Sequence, residues 1–302
     1  MDDREELASL RAENAGLRDE VEQLRAGLGA FSPGHFHSPL PDLAEVRRDA
    51  ARLFEDRPRE LPGVDRNEAH QLRRLHEMLA FAGEARFPVE REEGWRYYSR
   101  NDMFPEADAF VYSALLRLLR PRQVIEVGSG YSSAVLLDTL ERHLGWSARC
   151  TFVEPDPTRL RALLREDDWS RIEHDPRRVQ DVPLSVFDEL GSGDVLFIDS
   201  SHVAKVGSDV NHLLLEVLPR LASGVEIHVH DILANFEYPR AWVEEGRAWN
   251  EAYLVRAFLL LNDDFEIDFH GPYMAERHMP LCHACLPHCD TGTGSSLWLR
   301  RR

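Results

Sequence analysis

Residues 124–130 read Val124-Ile125-Glu126-Val127-Gly128-Ser129-Gly130. An apolar run closes on an acid, a Gly-x-Gly turn follows, and residues 131–143 have the makings of a helix. That is the strand–turn–helix entry of a nucleotide-type cofactor site. The glycines let the backbone turn tightly and let a ligand come close to the peptide groups.

Working outward, strands and helices alternate. Strands are expected at 148–153, 171–174, 195–198, 225–230, 265–269 and 296–301, with helices at 157–166, 184–190, 208–221 and 248–261. This alternation predicts an α/β fold with a doubly wound, mostly parallel sheet. The last two strands are joined by a Cys/His-rich segment, 271–294, in which no helix is expected, so they should close as an antiparallel pair. Upstream, 106–119 reads as a helix leading into the first strand. Residues 42–56 and 65–82 also look helical, and 94–105 are aromatic and irregular.

Residues 3–28 carry heptads. Leu7, Asn14, Val21 and Leu28 share one seam position, and Leu10, Leu17 and Leu24 share the other. A single seam Asn is what a parallel two-stranded coiled coil uses to fix register, which predicts a homodimer; the alternative is an amphipathic helix lying on its own domain. Pro33, Gly34, Pro39 and Pro41 then break the helix. The expected division is a coiled-coil helix over 1–30, a linker and helical lid over 31–105, and a cofactor-binding domain over 106–302.

The 302 residues carry a net charge of −17, which argues against a nucleic-acid partner, since that needs a basic footprint. No apolar run reaches the length of a membrane span, and the N-terminus is charged rather than signal-like, so a cytoplasmic protein without a membrane partner is expected. Of the four cysteines, Cys282, Cys285 and Cys289 lie close together, with His288 between the last two. Ligand types and Cys-x-x-Cys spacing suit zinc, but the second spaced pair of a complete zinc module is missing; a reduced thiol cluster is the other reading.

Further features support the turn. The second strand ends in Glu154, placed to accept hydrogen bonds from two ribose hydroxyls. Gln180-Asp181 follows the third strand and lies where an adenine edge would be reached. Ser133 stands where a dinucleotide fingerprint has its third glycine. An NAD-type oxidoreductase would use Glu154 equally well, but the missing glycine and the closing hairpin count against it. With these features the chain resembles the class I S-adenosylmethionine-dependent methyltransferases, over residues 106–270 and 295–301. The resemblance implies a seven-stranded sheet with an antiparallel last strand. It also implies that Glu126 and the backbone of Gly128, Ser129 and Gly130 face the methionine part of the cofactor, Glu154 the ribose and Asp181 the adenine.

Asp199 ends the fourth strand and Asp231 the fifth. Neighbouring strands lie about 5 Å apart, and both ends open on the carboxyl edge where ligands bind. Two carboxylates there repel unless a cation lies between them or one is protonated; Mg²⁺ or another hard divalent cation is the economical solution. His202 lies three residues past Asp199, within reach of an acceptor hydroxyl as a general base. The bland readings are a helix cap for Asp199 and a surface loop for His202. The Asp-x-x-His plus downstream acid resembles the metal-dependent sugar O-methyltransferases of macrolide biosynthesis. That resemblance implies Asp199 and Asp231 as metal ligands and His202 as base. His230 stands where that family has an acid, so it either ligates or hydrogen-bonds. His228 reads as an interior residue, and Ser208 as a helix cap.

Trp95, Tyr97, Tyr98, Asn101 and Phe104 suit either the flat face of a sugar or the packing of a lid, while Phe236, Tyr238 and Trp242 suit a second wall. The expectation is an S-adenosylmethionine-dependent O-methyltransferase acting on a hydroxyl of a sugar, glycan or glycosylated small molecule. A coiled-coil scaffold with a non-catalytic cofactor domain is the alternative from another class.

Overall fold

The computed structural model describes residues 13–19, 21–22, 30–54, 60–84, 87–285 and 294–302, which fall into two compact units. The smaller takes in residues 1–55 and 239–248. It holds the helices Leu43–Arg48, Ala50–Leu53 and Arg240–Glu244. Asp42 caps the first of these, accepting from the Ala44 and Glu45 amides at 2.7 and 3.3 Å. Of the expected coiled coil, residues 13–19 and 21–22 are helical, and Leu17 and Val21 are exposed. Seam residues Leu7, Leu10, Leu24 and Leu28 lie outside the described residues.

The larger unit is built on a seven-stranded sheet: β1 (Gln123–Val127), β2 (Arg149–Val153), β3 (Ile172–Asp175), β4 (Val195–Ile198), β5 (Glu226–Val229), β6 (Phe265–His270) and β7 (Leu297–Arg301). Their order is β3-β2-β1-β4-β5-β7-β6. The strands β1 to β5 pair in parallel, and β7 runs antiparallel between β5 and β6. Every residue of β1 and β4 is buried, as strands covered on both faces should be, with Gln123 and Glu126 the polar members of β1. The order reverses between β1 and β4, which sets a ligand crevice at their carboxyl ends.

One expectation needs correction. Residues 271–285 are helical, with a break at His278 just before Pro280. Proline lacks the N–H that a helix interior needs and crowds the preceding turn, so the pattern there is interrupted without being abolished. Residues 31–105, expected as a linker and helical lid region, divide between the two units. From Asp56 onward the chain belongs to the sheet unit. Gln71, Leu75 and Met78 make the buried stripe of the Glu68–Leu79 helix, which packs on β6 and on the Gly271–Cys285 helix. Tyr97 and Phe104 are core residues. No helix among the described residues is long and apolar enough to cross a membrane.

Candidate active site

The turn after β1 is shaped by its neighbour. Gly128 has φ +82°, and a Cβ there would fall 1.7 Å from the Asp199 carbonyl oxygen, so only glycine fits. Ser133, in place of a third glycine, accepts the Gly130 amide at 3.0 Å and donates to Glu126 Oε1 at 2.8 Å. Ser132 donates to the same oxygen at 2.6 Å. Glu126 is fully buried, and that burial outweighs the two serines and pushes its pKa up to about 8. Its Oε2 and the neighbouring Ser129 Oγ are buried without a partner. Glu154 accepts the Ser129 amide at 3.0 Å and the Asp156 amide at 2.8 Å, bracing the turn from the end of β2. A tight glycine turn, an acid beyond β2 and two orphaned polar atoms fit a nucleoside cofactor with a polar tail. Asp181 is different. It is exposed, and Arg178 holds its carboxylate through two bonds of 2.8 and 3.1 Å, keeping it below the usual range.

Beyond β4 and β5 the structure brings Asp199, His202 and Asp231 together. His202 Nε2 lies 3.3 Å from Asp199 Oδ1 and 3.6 Å from Asp231 Oδ2. His202 and Asp231 both adopt left-handed backbone, at φ +58° and +56°. Such conformations cost about 1–3 kcal/mol each and are held only where the surroundings impose them. The source at His202 is clear: its carbonyl accepts the Asn250 and Glu251 amides at 3.0 and 3.2 Å, and its Nδ1 lies 2.9 Å from Glu251 Oε2. The start of the Glu251–Leu259 helix thus grips the histidine by backbone and side chain, and Trp249 lies against the ring, centroids 4.4 Å apart. Burial disfavours the charged imidazole, but the bonds to Asp199 and Glu251 outweigh it and take the pKa up to about 10. These two carboxylates favour the imidazolium.

His230 has another role. Ser295 Oγ donates to Asp231 Oδ1 at 2.7 Å, so only its lone pairs face His230 Nε2, 3.4 Å away. That nitrogen therefore carries hydrogen, and Nδ1 faces His228 Nε2 at 3.3 Å. His230 thus stands between Ser295 and His228, within reach of the carboxylate cluster. Beneath it, buried Asp108 accepts the Ser295 amide at 3.1 Å, its pKa pushed up to about 6 by burial. The donor set for a divalent ion is then two carboxylates with the His202 N–H between them. Among the described residues no three His, Cys, Asp or Glu form a metal-holding group. As arranged, these residues do not fit a protein-caged ion.

Three residues of this site were not singled out from the sequence: Glu251, Trp249 and Ser295. Glu251 had a signal. It falls on the stripe of Val255 and Leu259, the buried face of its helix, where a carboxylate is out of place without a partner. On the acceptor side, Tyr97 and Phe104 pack in the core, and Asn101 closes a turn by accepting the Met103 and Phe104 amides at 3.0 and 2.7 Å. Tyr98 bonds the Tyr131 hydroxyl at 2.7 Å. Phe236 and Tyr238 are buried, and Trp242 belongs to the smaller unit. Ser208 caps its helix, accepting the Asn211 amide at 3.2 Å. Cys282 is buried, its thiol pushed up to about 11; His288 and Cys289 lie outside the described residues.

Residues 125–232 match the model of a family described as a methyltransferase domain. An uncharacterized protein of Archaeoglobus fulgidus is 33% identical over 165 residues, covering 53% of this chain and 73% of that protein. Similar solved structures include the S-adenosylhomocysteine-bound methyltransferase PaMTH1 of Podospora anserina, 14% identical, covering 87% of this chain and 98% of that one, at a TM-score of 0.44. Another is the O-methyltransferase TomG of Streptomyces achromogenes in complex with S-adenosylmethionine, 16% identical, covering 74% and 89%, at 0.43.

Proposed function

We propose, from the premise that the chain belongs to the class I S-adenosylmethionine-dependent methyltransferases, that it transfers the methyl group to a hydroxyl of a sugar-like acceptor bound over Asp199, His202 and Asp231. The observation that supports this is the cluster itself: two carboxylates and an imidazole converge where the cofactor crevice opens. Bound S-adenosylmethionine supplies a methyl group on a positively charged sulfur with a good leaving group. The chain orients the acceptor. A hydroxyl lying against Asp199 or Asp231 donates its hydrogen bond there, which turns an oxygen lone pair toward the incoming methyl group; as the C–O bond forms and the methyl–sulfur bond breaks, that carboxylate takes the proton. Trp249 packs against the His202 ring, and an aromatic side chain beside the cluster suits the apolar side of a pyranose. His202 takes the acceptor proton only after losing its own, so a base role for it belongs to alkaline solution in metal-free protein.

A second reading puts a divalent ion at Asp199 and Asp231 in place of the His202 N–H that now lies between them, because Mg²⁺ needs few protein ligands when water completes its shell. The two separate in one experiment. Protein treated with EDTA is assayed for label transfer from S-adenosylmethionine to a panel of glycosides, with and without Mg²⁺, with matched amines as acceptors and NAD as a binding control. Hydroxyl methylation that survives EDTA supports the imidazolium reading; absolute dependence on Mg²⁺ supports the ion. Transfer to amines alone would sink the hydroxyl assignment. Pairing of two chains through residues 1–28 is proposed from the heptads, and sedimentation before and after their removal tests it.

A further inference from the structure

The crevice has an electrostatic oddity. Glu126, Glu154, Asp199, Asp231 and Glu251 surround it, yet the cofactor's methionine part ends in a carboxylate that needs a partner. Arg159 is the candidate. It lies two residues into the helix after β2, Thr158–Leu163. Its side chain runs across the glycine turn: a Cβ on Gly130 would meet Arg159 Cδ at 2.8 Å, Cγ at 3.5 Å and a terminal guanidinium nitrogen at 3.8 Å. It is exposed and makes no hydrogen bond or ion pair among the described residues. Neighbouring arginines are engaged elsewhere. Arg91 donates to the Ala162 carbonyl at 2.7 Å, Arg161 lies over Trp169, and Arg177 and Arg178 hold Asp175 and Asp181.

We propose that Arg159 is a cofactor-binding residue whose guanidinium pairs with the α-carboxylate of the methionine part. This rests on the S-adenosylmethionine reading above. With the ribose diol at Glu154 and the methyl group aimed at the Asp199 cluster, the tail has to pass the Gly128–Gly130 turn, over which Arg159 lies. The field of Arg159 already reaches both ends of that path, favouring the charged forms of Tyr131 and Asp199. A guanidinium suits a planar carboxylate because it offers two parallel N–H groups. A free arginine on a flexible arm also accounts for an otherwise acidic crevice admitting a ligand with an anionic end.

The test is calorimetric, on the full chain, with S-adenosylhomocysteine and its decarboxylated amine as the two probes. Arg159→Gln should bind S-adenosylhomocysteine about 10- to 100-fold more weakly than wild type, the range for a lost charge-assisted bond. The decarboxylated probe should bind both proteins equally, and Arg159→Lys should recover part of the loss. An unchanged melting temperature is expected for both variants, since the side chain is exposed and unpaired. Wild-type affinity for S-adenosylhomocysteine in Arg159→Gln overturns the proposal, and with it points the arginine at an acceptor anion. Equal weakening of both probes overturns it as well. Wild-type protein that binds neither probe sinks the cofactor reading itself, which is a separate and recognisable failure.

Discussion

Two regions of the larger unit share one charge pattern, a single cation ringed by three carboxylates. Around Arg96 these are Asp138, Asp168 and Glu141; around His202 they are Asp199, Asp231 and Glu251. Arg96 is sealed. Its side chain is 1% exposed, it grips Asp168 with two nitrogens, and Asp138 also accepts the Arg96 and Tyr97 amides. That cation never titrates in water. His202 is 8% exposed, but its partners Asp199 and Asp231 keep 31% and 16% of their side chains open. Its cation is removable, and its backbone is held in a left-handed conformation. The first cluster is built to stay charged and closed. The second has a reversible charge and two carboxylates facing the crevice, which is what chemistry requires.

Arg96→Met should break the comparison most severely, because Asp138 and Asp168 are left buried and unpaired. A loss of about 3–5 kcal/mol is expected from urea denaturation. A loss below about 1 kcal/mol would mean that water reaches the cluster and that the two regions are alike. His202→Gln should reverse the balance, with stability changing less than for Arg96→Met while methyl transfer near pH 10, where the ring can accept a proton, falls by about 10²–10⁴-fold and S-adenosylhomocysteine still binds. An active His202→Gln enzyme would remove the chemical role of the second cluster.

Smaller and more diagnostic is pH. In EDTA-treated protein the folded pKa of His202, about 10, lies above its ordinary 6.5. Its contribution to stability is fully present below about 6.5 and is lost as pH rises toward 10. The gap in urea midpoint between wild type and His202→Gln should therefore narrow from pH 6 to pH 10, whereas the gap for Arg96→Met should not. Glu251→Gln removes one of the charges holding the proton, so wild-type behaviour should be shifted to lower pH. A flat gap would show that the ring is neutral in the folded protein. As the smallest effect, Arg220→Ala removes an exposed pair with Asp188 and should leave the midpoint unmoved.

The parts of this architecture visible in the sequence are those governed by short-range rules. The β1 apolar run and its glycine turn, the acids ending β2, β4 and β5, and the Ser208 cap depend on neighbours a few residues away. The Gly271–Cys285 helix was obscured because Pro280 and His278 interrupt its periodicity, while tertiary packing on the Glu68–Leu79 helix keeps it helical. Glu251 and Ser295 reach the site from 49 and 64 residues away in sequence, so no local spacing links them to His202 and Asp231. His230 reads from sequence as either ligand or hydrogen-bonding residue; its neighbour His228 lies two residues back on β5, but Ser295 comes from before β7, beyond local spacing. The aromatic run at 95–104 divides between core and crevice edge for a similar reason: composition gives ring count, not depth.

Gly128 and Gly130 look like equal members of one motif, but they are under different constraints. A side chain at 128 is forbidden by the rigid carbonyl of Asp199, one strand away; at 130 it would displace only the pliable arm of Arg159. A descendant of this chain that lost its cofactor would still have to keep the first glycine so that β1 and β4 could lie side by side, while the second would be free to drift. Across diverging relatives, the first glycine therefore records the packing of the sheet, and it is the fate of the second that registers whether a ligand is still held.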